Sequence, residues 1–379
     1  MKIAFVLDDS LDSTDGVQQY ILGLGHWLKS KGHEVHYIVG ETKRTDTDHV
    51  HSLSKNIKVR FNKNKMSMPL PVASATISKH LENQKYDILH IQMPFSPLFG
   101  GRVIKEAHKL GIPTIATFHI LPARTIEKVA TRLLALVQKR SVALLAEIVS
   151  VSEPAKEFVD DYFKVQSNVI PNPVNMESLK NDSKRKSSKQ IRILFIGRLV
   201  SRKGCRELLK AFSLLDIDKQ ELQLDICGDG SLRGELEAFV INNKLQESVT
   251  FHGYVDEIEK TAMLHEADIA VFPSTGGESF GIVLIEAMAG GVPVVIAGDN
   301  PGYRWVMNGR EDQLVVPSDR KKFTATLKYY ISNASARGKT QKWQLQHVKR
   351  FDVNVVGRQI LDQYESVIAK HSQQYHNNL

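Results

Sequence analysis

An α/β fold of two doubly wound domains, each a parallel sheet with helices on both faces, is what the sequence predicts. Short apolar stretches alternate with amphipathic ones along the whole chain, the rhythm of repeated βαβ units. That rhythm breaks once, around residues 171–190, and then restarts. The length of 379 residues fits two domains at roughly 150 residues each, both large enough to bury a core.

Taken in order, KIAFVL (Lys2–Leu7) is a short continuous apolar run and reads as a strand. Val17–Lys31 has helical periodicity and is closed by Gly32, and His33–Val39 reads as the next strand. Tyr86–Gln92 and Pro113–His119 are further strands with a helical Phe99–Leu110 between them. Glu147–Val151 is a strand and Glu153–Tyr162 the helix after it. Pro171-Asn172-Pro173 then marks a turn, and NDSKRKSSKQ (181–190) has almost nothing to bury, so it reads as a linker. The second half runs strand Ile191–Gly197, helix Cys205–Leu215, strand Leu222–Cys227, helix Leu232–Asn242 and strand Val249–His252. It continues with helix Glu259–His265, strand Ile269–Phe272, helix Ile282–Ala289 and strand Val292–Ile296, and the tail from Val355 to His371 is helical. The expected domains are 1–172 and 191–355, joined by a linker over 173–190. A C-terminal helix over 356–379 is expected to pack back on the first domain. In such folds ligands bind beyond the carboxyl ends of the strands.

Composition removes several classes. With 42% hydrophobic and 24% charged residues the chain is neither collagenous nor of low complexity. Its two cysteines, Cys205 and Cys227, make neither a disulfide framework nor a metal-ligand pattern, as expected of reduced thiols in the cytosol. Too few apolar residues follow Met1-Lys2 for a signal peptide, and no run of about 18 apolar residues occurs. The net charge of +8 is unevenly placed. Residues 1–190 hold 27 Lys and Arg against 19 Asp and Glu, whereas 191–379 hold 23 of each. Within the first half, residues 51–150 carry 15 basic and 5 acidic side chains, a field that draws in an anionic surface unless it is simply a solvated face.

The segment with the most chemistry is GGESFGIVLIEAMAGGVPVV (276–295), where a strand enters a glycine-bearing turn and then a helix ended by Gly290-Gly291. Backbone N–H groups of Ser279, Phe280 and Gly281 should point out of that helix start, where the positive end of the dipole suits an anion. Glu286 stands in an otherwise apolar VLIEAMA, and a buried carboxylate is costly unless it accepts hydrogen bonds. Ligand hydroxyls would satisfy it; the alternative is a glutamate on the solvent side of the helix.

Glu278 and Glu286 form an E-x7-E pair, and this segment resembles the signature of retaining glycosyltransferases of family 4, which have the GT-B fold. Five further segments fall in that family's order: DGVQQYILGLGHWLKSKGHEV near the start, ATFH at 116–119, VSEPAKEF at 151–158, IPNPV at 170–174 and GRLVSRKG at 197–204. The resemblance spans essentially the full chain and is most similar to phosphatidylinositol α-mannosyltransferases and related glycolipid-forming enzymes. It implies two Rossmann-like domains facing across a deep cleft. The C-terminal half would bind a nucleotide sugar and the N-terminal half the acceptor.

By that resemblance Glu278 holds the donor sugar's ring hydroxyls. The amides of Phe280 and Gly281 meet the sugar and diphosphate, with Ser279 and Ile282 beside them, and Glu286 binds the ribose. Arg198 and Lys203 match the basic pair on the diphosphate, which gains negative charge as the glycosidic bond breaks. The alternative for this pair is two solvated loop charges. His119 matches a histidine beside the anomeric carbon, while His90 in DILHIQ reads as core. Gly16 matches the second glycine of a G-G-[VIT] loop whose first position is Asp15 here. Gln18 would face the acceptor, and Arg60 and Arg124 would hold an acceptor phosphate. Both arginines lie in basic, apolar-interleaved stretches, Lys58–Met66 and the amphipathic Arg124–Arg140. Asp8-Asp9 and Phe95 depart from the inositol-specific pattern.

The implied reaction transfers an α-hexosyl unit with retention, mannosyl from GDP-mannose, to a membrane lipid such as phosphatidylinositol. No carboxylate is placed as a covalent nucleophile; the family is described through front-face attack. The alternatives are a UDP-glucose- or UDP-galactose-dependent enzyme making glycosyl-diacylglycerols or polysaccharide precursors, and a catalytically silent nucleotide- or lipid-surface-binding protein. No nucleic-acid partner is expected, for want of a binding motif. No tightly bound cofactor is expected either. Mg2+ would enter only as a stimulant, with no metal site in the protein, since the Asp216–Asp218 D-x-D triplet lies in a charged turn. The expected location is cytoplasmic, peripheral on the inner face of the cell membrane.

Overall fold

The computed structural model describes residues 1–13, 15–61, 64–93, 95–122, 136–180 and 190–377, without the side chains of 58–68 and 374–377. The chain divides into two units, Met1–Pro173 with Val353–Leu379, and Val174–Asp352.

In the first unit the strands are β1 (Lys2–Leu7), β2 (Glu34–Val39), β3 (Val50–Ser52), the hairpin pair β4 (Asn56–Phe61) and β5 (Asn64–Pro69), β6 (Ile88–Met93), β7 (Thr114–Phe118), β8 (Glu147–Ser150) and β9 (Asn168–Val169). Apart from the hairpin they form one parallel sheet, ordered β3-β2-β1-β6-β7-β8-β9. Central strands are buried along nearly their whole length, as parallel strands covered on both faces must be. The helices are α1 (Gly16–Ser30), α2 (Ser74–Gln84), α3 (Gly100–Lys109), a helical segment α4 at 136–142, and α5 (Glu153–Phe163).

The second unit repeats the plan. Its strands β10 (Ile191–Ile196), β11 (Leu222–Cys227), β12 (Val249–Gly253), β13 (Ile269–Phe272), β14 (Val294–Gly298) and β15 (Leu314–Val315) form a parallel sheet ordered β12-β11-β10-β13-β14-β15. Its described helices are α6 (Cys205–Ser213), α7 (Arg233–Asn242), α8 (Glu257–Glu266), α9 (Ile282–Ala289), α10 (Pro301–Val306), α11 (Arg320–Ser332) and α12 (Ala334–His347). One core joins Ile193, Phe195, Leu224, Ile226, Val271 and Ile296 of the sheet to Leu208, Phe212 and Phe323 of the helices. Both cysteines are buried in this unit.

The last helix, α13 (Val353–Asn377), belongs to the first unit and packs on α1. Where the chain enters and leaves the second unit, Val174 pairs with Asp352 and its N–H donates to the Phe351 carbonyl at 2.8 Å. The second unit therefore starts at Val174 and ends at Asp352, earlier at both ends than the expected 191 and 355. The polar composition after Pro173 hides two anchors, Val174 and Leu179, both buried.

Candidate functional site

In both sheets the strand order reverses beside the first strand of the unit, the place where open α/β sheets bind ligands at the carboxyl ends of the strands. In the second unit that place lies between β10 and β13. The loop after β10 ends in a short helical turn, Ser201–Lys203, and then Gly204 at φ +75°. A side chain at Gly204 would strike the Pro273 carbonyl, so the loop after β13 lies directly against it. The Arg202 carbonyl ties the two loops, accepting from Thr275 N at 2.9 Å and Ser274 Oγ at 3.0 Å.

Glu278 sits at this junction, only 12% exposed. Its Oε1 accepts from Arg202 Nη1, from Lys203 Nζ at 2.9 Å and from Ser274 Oγ at 2.8 Å. Burial pushes the carboxyl up, but Lys203 and then Arg202 outweigh it and hold Glu278 below its ordinary value. Lys203 is shifted down by burial despite Glu278. Glu278 is thus a carboxylate at neutral pH, pinned by two cations. The guanidinium on it is Arg202, whereas Arg198 is exposed and its field acts on Lys203.

Beyond Glu278 the turn runs through Ser279 and Phe280 into α9, capped by Gly281 at φ +114°. The Phe280 ring is buried against Trp305 and Phe351, with centroids 5.6 and 5.5 Å away, so only its backbone remains to meet a ligand. A Cβ at Gly281 would sit 2.5 Å from the Tyr303 ring, and one at Gly302 would strike the Glu278 carbonyl. Glycine is required at both. Ile282 opens α9, and Glu286, one turn on, is 15% exposed. Glu286 was expected to be satisfied by ligand hydroxyls or to face water; the fold gives it a protein partner, Lys260 Nζ on α8, which donates to it at 3.0 Å. Burial nonetheless raises the Glu286 carboxyl, the lysine only partly offsetting it.

In the first unit the reversal lies between β1 and β6. Asp8, just past β1, accepts from the backbone N–H of Ser96 and, at 3.0 Å, of Gly100 at the start of α3. Burial outweighs these bonds and pushes its carboxyl up to about 7. Because this folded value exceeds the unfolded one of about 3.8, Asp8 costs stability increasingly as pH rises from about 4 to 7, at most about 4 kcal/mol. In thermal melts, Asp8→Asn should gain on the wild type steadily over that range and level off above it. A pH-independent difference would contradict the assignment. Gln18 is buried and its amide donates to the Ser10 carbonyl at 3.0 Å, so it braces this loop.

His119, immediately after β7, pairs through Nε2 with Gln92 Oε1 at 2.8 Å and meets the Tyr20 ring edge-on at 4.9 Å. With the Gln92 oxygen facing it, Nε2 is the donor and Nδ1 the acceptor. Burial pushes the ring down to about 3, so it is neutral at any physiological pH. His90 is core: Nδ1 meets Tyr364 Oη at 2.7 Å and Nε2 meets Thr117 Oγ1 at 2.6 Å. Gly16 opens α1 behind Asp15, whose carboxylate accepts from Ser13 Oγ at 2.8 Å.

Comparison with known proteins decides the family. The family model Glycosyltransferase Family 4 matches residues 14–178 and Glycosyl transferases group 1 matches 176–344. A phosphatidyl-myo-inositol mannosyltransferase of Propionibacterium freudenreichii is 31% identical over 78% of this chain and 77% of its own. The chain belongs to glycosyltransferase family 4. A protein of the same name from Mycobacterium leprae is 28% identical over 98% of both chains. The alpha-monoglucosyldiacylglycerol synthase of Streptococcus pneumoniae is 26% identical over 79% of this chain and 71% of its own. In fold the chain is similar to the crystal structure of a Rickettsia africae glycosyltransferase, with a TM-score of 0.75, 18% identity, and coverage of 97% and 98%.

In this glycosyltransferase the two matched segments meet at 176–178, beside the junction at Val174. Glu278 and Lys203 pair in the second unit beside the Phe280–Gly281 backbone, and Glu286 follows one turn into α9 against Lys260. Of the expected acceptor residues, Arg60 lies on β4 opposite Lys65, and Arg124 falls outside the described residues. Sequence reasoning missed Arg202, Ser274, Lys260 and Gln92. Arg202 stood in the GRLVSRKG segment, but spacing alone does not tell which of its three bases turns toward the glutamate. Lys260 carried no signal, since its partner lies 26 residues away and on another helix.

Proposed function

We propose that this glycosyltransferase moves an α-mannosyl unit from GDP-mannose, with retention, to a membrane lipid whose headgroup carries a phosphate, such as phosphatidylinositol. The observation that carries the reading is Glu278 held among Arg202, Lys203 and Ser274 at the carboxyl ends of β10 and β13. An anionic hydroxyl acceptor beside paired cations is what a hexose linked to a diphosphate needs. Sugar hydroxyls would donate to Glu278 while Lys203, with Arg198, turns to the phosphates and stabilises the departing charge. Glu286, with Lys260 behind it, would take the ribose hydroxyls. His119 would serve as a neutral hydrogen-bonding group, since it has no charge to offer.

The lipid acceptor is supported by the relatives' names and by residues 51–150, which carry 15 basic against 5 acidic side chains. On α4, Leu136 and Val137 are 71% and 62% exposed beside exposed Lys139 and Arg140, the pairing that suits an interfacial helix. Among the described residues no helix is long and apolar enough to cross a membrane. The streptococcal relative favours a second reading, with UDP-glucose as donor, diacylglycerol as acceptor and a glucosyl-diacylglycerol as product.

One experiment separates the two. Purified protein with each of GDP-mannose, UDP-glucose and UDP-galactose, in the presence of phosphatidylinositol or diacylglycerol vesicles, should release nucleoside diphosphate from GDP-mannose with phosphatidylinositol alone. GDP-mannose should also raise the melting midpoint. Release from UDP-glucose with diacylglycerol would favour the second reading, and no release from any pair would sink both.

A further inference from the structure

At the outer edge of the first unit's sheet, away from the loops described above, four histidines and a glutamate share one face. Successive side chains of a strand alternate sides, so Glu34 and His36 on β2 point the same way, as do His49 and His51 at β3. The parallel register pairs Tyr37 with Val50 and Ile38 with His51, which brings His36 beside His49. Their rings stack at 4.5 Å, and His36 and His51 stack at 5.0 Å. His80 on α2 closes the group, edge-on to His51 at 4.6 Å.

We propose that Glu34, His36 and His49 form a binding site for a divalent transition metal of the zinc class. One donor atom from each lies within 4.8 Å of the other two. Zinc binds imidazole nitrogen and carboxylate oxygen at about 2.0–2.2 Å, so a side-chain adjustment of about an ångström closes the triangle. The donor set is two imidazoles and a carboxylate, which suits zinc and its neighbours and not Mg2+, whose ligands are oxygens. Three protein ligands leave a fourth position for water.

The surroundings are those of a built site. His36 is buried, and its Nδ1 is met by His51 Nε2 at 2.8 Å and Tyr86 Oη at 3.4 Å, while Nε2 faces Glu34 Oε1 at 2.8 Å. Tyr86 is held in turn by His80 Nε2 at 3.0 Å. Outer partners of this kind fix the ring that ligates. His49 holds an unusual left-handed backbone, φ +58°, and its carbonyl accepts from Tyr37 N at 3.0 Å. Lys2 Nζ, 3.2 Å from Glu34, also bonds Gln84 at 3.0 Å and keeps that partner if a cation displaces it. A bound metal would tie β3 to β2. It would also depart from the expectation of a chain with no metal site.

The test uses the untagged full chain, stripped with chelator and dialysed against limiting zinc chloride. Wild type should retain about one zinc per chain and melt higher with Zn2+, with no rise from Mg2+. Affinity should fall at least about tenfold in His49→Ala and Glu34→Gln, both exposed positions whose loss leaves the metal-free melt near wild type. His26→Ala, an exposed histidine on α1, should retain zinc normally. No retained zinc, retention unchanged in both variants, or an equal response to Mg2+ would each overturn the proposal.

Discussion

Glu278→Ala should cut turnover by about a thousandfold or more while leaving nucleoside diphosphate binding intact or tighter. In the structure the carboxylate neutralises Arg202 and Lys203, and in the proposed reaction it would also accept from the sugar hydroxyls. Removing it would, on that proposal, strip the sugar of its hydroxyl acceptor. It also leaves two partly buried cations with no counter-charge, which a diphosphate would then supply. Loss of one partner from a buried pair costs about 3 kcal/mol, less here because Arg202 is one-third exposed. The variant should therefore melt lower alone and recover much of the difference with GDP. Glu278→Gln keeps the shape and one acceptor oxygen, and should fall between the two. The decisive pair of measurements is diphosphate release and the GDP-dependent melting shift. Turnover within about tenfold of wild type would remove Glu278 from the site.

How much of this was legible beforehand depended on whether the apolar pattern carried the information. β11, β13 and α9 have the same bounds in the structure as in the sequence reading, because each is a buried run punctuated by glycine, proline or charge. The hairpin β4–β5 was read differently. Its alternation of bases and apolar residues over Lys58–Met66 suggested a headgroup contact, yet a period of two is equally the mark of a strand pair. α12 left almost no trace, since its buried positions are Thr340 and Gln344 and give no apolar stripe. Gln344 is core through hydrogen bonds, accepting from Val295 N and donating to the Val292 carbonyl, both at 2.8 Å. The same limit applies to the site. Glu278 and Lys203 announced themselves by motif, but Arg202 and Ser274 are defined by the contact of two loops about 70 residues apart, and only folding brings them together.

Ending the chain at Asp352 should unfold the N-terminal unit and spare the C-terminal one, although the deleted residues come last. α13 contributes Val356, Ile360, Leu361, Tyr364 and Val367 to the core built on β1, β2 and α1, beside Phe5, Tyr20, Leu24 and Trp27. At about 1.5–3 kcal/mol for each fully buried large apolar side chain, that loss is on the order of 10 kcal/mol, comparable with the whole stability of a domain. The contacts are specific as well. Trp27 Nε1 donates to Asn354 at 2.9 Å, and a Cβ at Gly357 would lie 2.6 Å from the Trp27 ring, so the helix backbone rests directly on the indole. Tyr364 reaches His90 at 2.7 Å, and His90 in turn bonds Thr117 on β7, one residue from Phe118 and two from His119. Limited proteolysis of the truncated chain should cut within residues 1–173 and leave 190–352 resistant. The milder Tyr364→Phe strands a buried imidazole nitrogen and should cost about 1–3 kcal/mol without unfolding either unit. If the truncated chain keeps an intact first unit, α13 is an appendage and not part of its core.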